Sequence, residues 1–185
     1  EMYSGIPLPP GPTPGSKIIW TLGMAPAATL YIVKVFDHTG GSIPTAIVLS
    51  GMEHALDLKL VQGYDVDVIS MSIGGTSLFD GRDIQDTLVN TITANGITLV
   101  AAAGNYGPAS NTVSRPGSAY TAITAGWAAN PVNTKAFWDY SYQVQGRGSL
   151  MFTSPTPQIY AGSSRGPTSD AVSYTHLRAH ETVLD

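Results

Sequence analysis

The chain has 185 residues, enough for one domain with a buried core, and 43% of them are hydrophobic while only 12% are charged. Nine Lys and Arg against 13 Asp and Glu give a net charge of −4, which argues against a nucleic-acid binder that works by neutralising phosphates. The chain has no cysteine, which excludes disulfides and cysteine nucleophiles, and its strongest apolar stretch, residues 97–103, is far shorter than the ~20 residues of a membrane helix, so we expect no membrane insertion.

The first predicted elements are a strand and a helix. Thr29–Phe36 is rich in β-branched and aromatic residues, which predicts a strand. Apolar residues at helical spacing then predict a helix that ends near Leu60. Its predicted cap is Ser42 or Thr45, with Pro44 in the first turn.

Strands and helices continue to alternate along the next part of the chain. Val66–Ile73 predicts a second strand, and Asp83–Asn95 predicts a second helix. Ile97–Ala103 is apolar nearly throughout and predicts a third strand, buried on both faces. Tyr120–Ala128 predicts a fourth. This alternation favours parallel pairing with right-handed crossovers, and therefore an α/β fold.

The chain after Ala128 has a weaker pattern. Residues 130–162 contain many aromatic residues and several turn formers, which predict short irregular strands or hairpins. Residues 171–185 differ in composition from everything before them, and Val172–Thr182 resembles the forward translation of a transposon-based DNA-sequencing adapter. We therefore divide the chain into a native part, residues 1–170, and a non-native tail.

Four glycine-containing segments carry the functional signal. Gly23–Pro26 precedes the first predicted strand, Val68–Gly75 is a strand that ends in paired glycines, Ile97–Pro108 is a strand that ends in a Gly-Asn turn, and Ser163–Pro167 comes last. In this order, with two helices between them, the segments resemble the subtilisin-like serine peptidases. The resemblance implies a three-layer α/β fold, a mostly parallel sheet with helices on both faces, incomplete in this chain.

Asn105 is the candidate catalytic residue. It follows a predicted strand at its carboxyl end, where α/β sheets bind their ligands. An amide held at a rigid strand end can donate a hydrogen bond to an oxygen that becomes negative during acyl transfer. The resemblance implies this oxyanion-hole role for Asn105; the residue pattern alone leaves a left-handed turn residue as the alternative.

Two further segments are candidate substrate-binding residues. The resemblance implies that the backbone of one segment pairs with an extended substrate as an added strand: Ser72, Ile73 and Gly74. It implies that a second segment of small residues lines the main side-chain pocket: Ala102, Ala103 and Gly104. Tight core packing is the alternative for the second segment. The Arg115–Pro116 bond lies where the family often has a cis peptide beside that pocket.

The resemblance also implies a catalytic Ser, His and Asp that this chain does not supply. The segments Asp-Thr/Ser-Gly, His-Gly-Thr-His and Gly-Thr-Ser-Met-Ala are absent; by family order the first two would precede Glu1 and the third would follow Asp170. We therefore expect an interior fragment of a serine endopeptidase, inactive alone. The implied partner is a polypeptide substrate, with no cofactor and no metal, and the family default is an extracellular or cell-surface location.

Three local patterns imitate a catalytic or metal site. Gly162–Gly166 fits a Gly-x-Ser-x-Gly elbow around Ser164, but Pro167 and the polar residues after it predict no following helix. Asp37-His38 predicts a solvated turn. His176 and His180 have the spacing of a zinc pair, but the tail offers no third ligand, so we predict no metal site.

Two alternatives to an active peptidase remain. The first is a pseudoprotease that lacks triad members and acts as a peptide-binding module. The second is an unrelated α/β ligand-binding domain. The peptidase hypothesis requires Asn105 and Gly74 to lie at one cleft. If the folded chain places them far apart, this second alternative is favoured.

Overall fold

A computed structural model describes four parts of the chain: residues 14–15, 24–40, 43–76 and 81–168. The chain divides into two compact units, residues 1–33 and residues 34–185. The described part of the first unit holds no helix or strand, and the second unit contains every helix and strand described below. Among the described helices, none combines the length and the apolar character needed to cross a membrane.

The prediction of a strand at Thr29–Phe36 is wrong. These residues have no strand assignment, and no pairing among the described strands includes them. A strand exists only when a neighbour accepts and donates its backbone hydrogen bonds, so β-propensity alone does not produce one. The side chains of Leu30 and Ile32 are accordingly exposed.

Three parallel strands form the central sheet, as predicted. They are β1 (Val68–Met71), β2 (Thr98–Ala102) and β3 (Ile123–Ala125), with β2 in the middle. The register places Ala102 opposite Ala125, so β2 and β3 end side by side. All three strands are shorter than their predicted spans, because the ends of the apolar runs lie outside the hydrogen-bonded ladder.

Helix α1 spans Thr45–Leu60, close to its predicted bounds. Its cap was predicted wrongly: Pro44 is the N-cap residue rather than part of the first turn, and no side chain caps the helix, so Thr45 does not do so. Proline at this position has no side-chain oxygen to accept a free N–H. Ser42 lies outside the described residues.

Helix α2 spans Ile84–Ala94 and confirms the second predicted helix. Asp83 is its N-cap, and the carboxylate accepts a hydrogen bond from the Gln85 N–H at 3.0 Å. Asn95 is the C-cap residue, followed by Gly96 at a φ of +76°. The helix therefore begins and ends at the residues that the sequence pattern indicates.

Both helices share one core with the sheet. The buried members of this core are Val48, Met52, Met71, Val89, Ile92, Ile97, Leu99, Ala101 and Ala119. Leu99 and Ala101 are buried, whereas Val100 and Ala102, which alternate with them, are only half-buried. The prediction that this strand is buried on both faces is therefore wrong, because α1 and α2 pack on the Leu99 face.

The region after Ala128 contains two helices that the sequence reasoning missed. One short strand lies within residues 130–162, where short strands or hairpins were predicted: β5 (Gln158–Ile159), which pairs antiparallel with β4 (Ala128–Ala129). Between them lie α3 (Pro131–Tyr142) and α4 (Arg147–Met151). Asn130 caps α3 by accepting hydrogen bonds from two N–H groups of the first turn, and a proline occupies the first helical position.

Candidate active site

Asn105 lies at an open cavity of about 570 Å³ at the carboxyl ends of β2 and β3. The residues that line this cavity are Ala102, Gly104, Asn105, Ala125, Gly126, Trp127 and Ala128. All of them are uncharged, and Trp127 is the one large apolar side chain among them. The cavity therefore combines a polar amide with a neutral wall, at the position where a parallel sheet holds its ligand.

The candidate pocket residues divide between the cavity and the core. Ala102 and Gly104 line the cavity beside Asn105. Ala103 does not line it and is 5% exposed, because successive residues of an extended chain point to opposite sides. Its N–H donates to the Ala125 carbonyl at 2.8 Å, which joins the ends of β2 and β3.

The candidate backbone-pairing residues follow β1. Ile73 and Gly74 line a neighbouring second cavity of about 340 Å³, and Ser72, which is exposed, lines neither cavity. Gly75 exchanges two backbone hydrogen bonds with Arg115, of 3.1 and 3.0 Å, in an antiparallel bridge. The structure therefore does not bring all the candidate residues into one cavity.

The two strand ends nevertheless meet at one residue, Ser114. A Cβ added to Gly74 would lie 3.1 Å from Ser114 Cβ, and one added to Gly104 would lie 3.0 Å from the same atom. Ser114 is 1% exposed and therefore fills the space between the two glycines. Asn105, which is next in the chain to Gly104, is thus not remote from Gly74.

The turn that carries Asn105 is held by residues 162–164. The Ser164 N–H donates to the Gly104 carbonyl at 2.9 Å, and Ser164 Oγ accepts from the Tyr106 N–H at 3.0 Å. Gly107 N–H donates to the Gly162 carbonyl at 3.1 Å. The sequence pattern offers Ser164 only as a nucleophile candidate, and its contact with the Asn105 turn becomes visible only in the structure.

The opposite wall of the cavity is held by the neighbouring serine. Ser163 Oγ accepts a hydrogen bond from the backbone N–H of Trp127 at 3.0 Å. The Trp127 indole stacks on the Tyr160 ring, with ring centroids 3.9 Å apart, and the Tyr160 N–H donates to the Trp127 carbonyl. Trp127 was also missed, because its place at the cavity depends on the β4–β5 pairing.

Two of the three local patterns that imitate a site lie within the described residues, and neither forms a catalytic centre. Ser164 is 7% exposed, and no helix follows it among residues 165–168, so it does not sit on a nucleophile elbow. Asp37 lies in an exposed turn where its carboxylate accepts hydrogen bonds from Thr39. Within the described residues no three His, Cys, Asp or Glu side chains are grouped to hold a metal ion, and His176 and His180 lie outside that part of the chain.

The parallel sheet and the amide at its carboxyl edge place the chain in the broad class of α/β proteins. Comparison with known proteins identifies the family within that class. The sequence model of the Subtilase family matches residues 11–180. The chain therefore belongs to the subtilase family. The Arg115–Pro116 bond is cis, as the resemblance implies. The match extends past residue 170, and the division of the chain at that point stays a prediction.

Two curated relatives illustrate the extent of the similarity. Pyrolysin of Pyrococcus furiosus is 37% identical over 156 residues, which cover 80% of this chain and 10% of pyrolysin. Subtilisin E of Bacillus subtilis is 37% identical over 120 residues, which cover 64% of this chain and 29% of that protein. Among solved structures, Sphericase has 27% identity and a TM-score of 0.48 over 67% of this chain and 32% of its own. The chain thus spans less than a third of each of these relatives.

Proposed function

We propose that the protein to which this chain belongs is a serine endopeptidase that hydrolyses peptide bonds through an acyl-enzyme. One observation carries the proposal: Asn105 lies at an open, uncharged cavity at the carboxyl ends of β2 and β3. Membership of the subtilase family supports the reaction class. It also removes the alternative of an unrelated α/β ligand-binding domain.

In the proposed mechanism, Asn105 acts on the carbonyl oxygen of the scissile bond. A serine hydroxyl attacks the carbonyl carbon, a histidine takes the hydroxyl proton, and the oxygen gains negative charge in the tetrahedral intermediate. The Asn105 amide N–H donates a hydrogen bond to that oxygen, and this bond is stronger in the transition state than in the bound substrate. The histidine then protonates the leaving amine, and water hydrolyses the acyl-enzyme.

The serine, histidine and aspartate of this mechanism belong, in the proposal, to sequence on either side of the chain. Support comes from the absence of the family's three triad segments from the printed sequence. The chain alone would then retain the oxyanion donor but no nucleophile, and we expect it to be inactive. An aspartate, a histidine and a serine in the adjoining segments would complete the site.

The proposed substrate is a polypeptide in extended conformation. Ser72, Ile73 and Gly74, which follow β1, would present their backbone to the substrate, and the glycine permits close approach of a second chain. Ala102 and Gly104 leave space in the cavity for a side chain of the substrate. We also propose an extracellular or cell-surface location, which rests on family membership alone.

The test uses the longer protein, expressed with its native flanking sequence, and a chromogenic peptide amide as substrate. Asn105→Ala should lower kcat by about 10²–10³, the effect known for loss of an oxyanion-hole donor in subtilisin itself, while KM changes little. Asn133→Ala, which removes an exposed amide from α3, is the matched control and should leave both constants unchanged. An unchanged kcat in Asn105→Ala would refute the role of Asn105.

A pseudoprotease is the second outcome of the same experiment. If the flanking segments lack the serine or the histidine, the longer protein should bind an extended peptide without cleaving it. Binding measured by fluorescence anisotropy, with no product released, would then identify a peptide-binding module and refute the endopeptidase proposal.

A further inference from the structure

Ser163 and Ser164 are two adjacent buried serines that connect both walls of the Asn105 cavity. They are 1% and 7% exposed. Ser164 Oγ accepts from a backbone N–H of the Asn105 turn, and Ser163 Oγ accepts from the Trp127 N–H on the other wall. A buried hydroxyl without a hydrogen-bond partner costs free energy, so both bonds are favoured in the folded chain. Together they connect the Asn105 turn to Trp127 through the two serines.

Ser164 contacts the residues on both sides of Asn105. Its backbone N–H donates to the Gly104 carbonyl at 2.9 Å, and its Oγ accepts from the Tyr106 N–H at 3.0 Å. One residue therefore holds the backbone immediately before and immediately after the candidate oxyanion donor. Asn105 itself is exposed, so its position depends on how well its neighbours are held.

The space around the turn adds to this restraint. Gly104 has a φ of +108°, and a Cβ added there would lie 2.8 Å from Ser164 Oγ. A side chain at Gly104 would therefore collide with the Ser164 hydroxyl, so the turn lies close to that hydroxyl. A hydrogen bond combined with close packing restricts a turn more than either does alone.

We infer that Ser164 is a positioning residue that holds the Asn105 amide in the geometry needed for oxyanion stabilisation. The inference rests on the proposed function, because it gives Ser164 a role only through Asn105. A donor that must lie 2.7–3.1 Å from the developing oxyanion loses its effect when its backbone moves by a fraction of an ångström. Ser164 thus contributes to kcat without touching the substrate.

Ser163 provides the matched comparison, because it is the same residue type, adjacent and also buried. Its hydroxyl accepts from the backbone N–H of Trp127, which lines the cavity proposed for a substrate side chain, and not from the Asn105 turn. Ser163→Ala should therefore raise KM for substrates with a large apolar side chain and change kcat little. Ser164→Ala should show the reverse pattern, with kcat lowered about tenfold or more and KM nearly constant.

The deciding experiment is a double-mutant cycle in the longer, active protein. Ser164→Ala should lower kcat in the native background and have no further effect in Asn105→Ala, because there is then no donor to position. An equal loss in both backgrounds would refute the inference, since it would indicate a general structural effect. If Asn105→Ala lowers kcat but Ser164→Ala does not, the inference fails while the proposed function stands.

A second measurement reports directly on the hydrogen bond. Amide hydrogen exchange should show reduced protection of the Tyr106 N–H in Ser164→Ala, and of the Trp127 N–H in Ser163→Ala. Unchanged Tyr106 protection in Ser164→Ala would refute the inference. If Ser164→Ala does not fold, Ser164→Cys, which has a similar size but a weak acceptor, replaces it in both measurements.

Discussion

The guanidinium of Arg115 lies 2.8 Å from the carboxylate of Asp83, measured between Nη1 and Oδ2. The backbone of Arg115 pairs with Gly75, and the other oxygen of Asp83 caps α2 through the Gln85 N–H. The side chains are 27% and 13% exposed, so the pair is partly shielded from solvent. Gly75 follows β1 in the chain, so the contact between Arg115 and Asp83 links the segment after β1 to the N-terminus of α2.

Replacement of Asp83 should separate the capping contribution from the ion pair. Asp83→Ala loses both and should lower the free energy of unfolding by about 1–3 kcal/mol, whereas Asp83→Asn keeps a good cap and should lose at most about 1 kcal/mol. Urea unfolding gives both values. Asp65→Ala, which changes an exposed loop residue, is the control. Equal losses in the two Asp83 variants would contradict the capping role.

Gly104 and Gly96 test how much of the candidate site depends on close packing. Both have positive φ, +108° and +76°, so alanine strains the backbone at either position. A Cβ at Gly96 meets nothing within 4 Å, while one at Gly104 collides with the hydroxyls of Ser114 and Ser164.

Gly104→Ala should therefore be the more destabilising of the two variants. We expect a loss of about 1 kcal/mol for Gly96→Ala and about 2–4 kcal/mol for Gly104→Ala, measured by urea unfolding. In the longer protein, Gly104→Ala should also lower kcat, because Asn105 follows directly. Similar unfolding midpoints for the two variants would show that the turn can move away from the serines.

The elements predicted correctly are those with local signals. Helix α2 has a capping Asp83 before it and Asn95-Gly96 after it, and β2 lies in a stretch that is apolar nearly throughout, so both can be recognised from their own residues. Helix α3 has an equally local signal in Asn130-Pro131, but the aromatic residues and turn formers that follow favour the prediction of strands instead. The strand expected at Thr29–Phe36 depends on a partner that sequence does not reveal.

The same distinction holds for the candidate site. Asn105 and Gly104 follow a recognisable strand, and family resemblance supplied a role for both. The Ser164–Tyr106 and Ser163–Trp127 bonds join residues 58 and 36 positions apart in the chain. No local pattern predicts such long-range bonds, so the support for the Asn105 turn becomes visible only in the folded chain.

Asp86 on α2 and Ser118 in the segment before β3 form a buried hydrogen bond whose contribution to stability can be measured. Both are fully buried, at 0% exposure, and Ser118 Oγ donates to Asp86 Oδ2 at 2.9 Å. The same oxygen accepts from the Gly81 N–H at 2.9 Å. Ser118→Ala should lower the free energy of unfolding by about 1–3 kcal/mol, because it removes a hydrogen-bond donor from a buried carboxyl oxygen. Ser110→Ala, at an exposed loop position, is the control, and an equal loss there would contradict this account.

Asp139 joins α3 to α4 through two backbone hydrogen bonds. Its carboxylate accepts from the Gly148 N–H at 2.6 Å and from the Gly146 N–H at 3.0 Å. These donors favour the charged form and hold the pKa of Asp139 below its usual value of 3.8, with the Gly148 bond as the larger cause. Protonation of the carboxylate should therefore weaken the junction between the two helices.

The pH dependence of this junction follows from the direction of the pKa shift. Because the folded state binds the Asp139 proton less readily than the unfolded state, the stabilisation is complete above the usual value of 3.8 and is lost as pH falls through the lower folded pKa. Asp139→Asn lacks this titration, so the stability difference between the native chain and the variant should shrink in acid. This difference is measured from the protection of the Gly148 amide against hydrogen exchange, corrected for intrinsic rates. A difference that stays constant with pH would show that the carboxylate does not hold the junction.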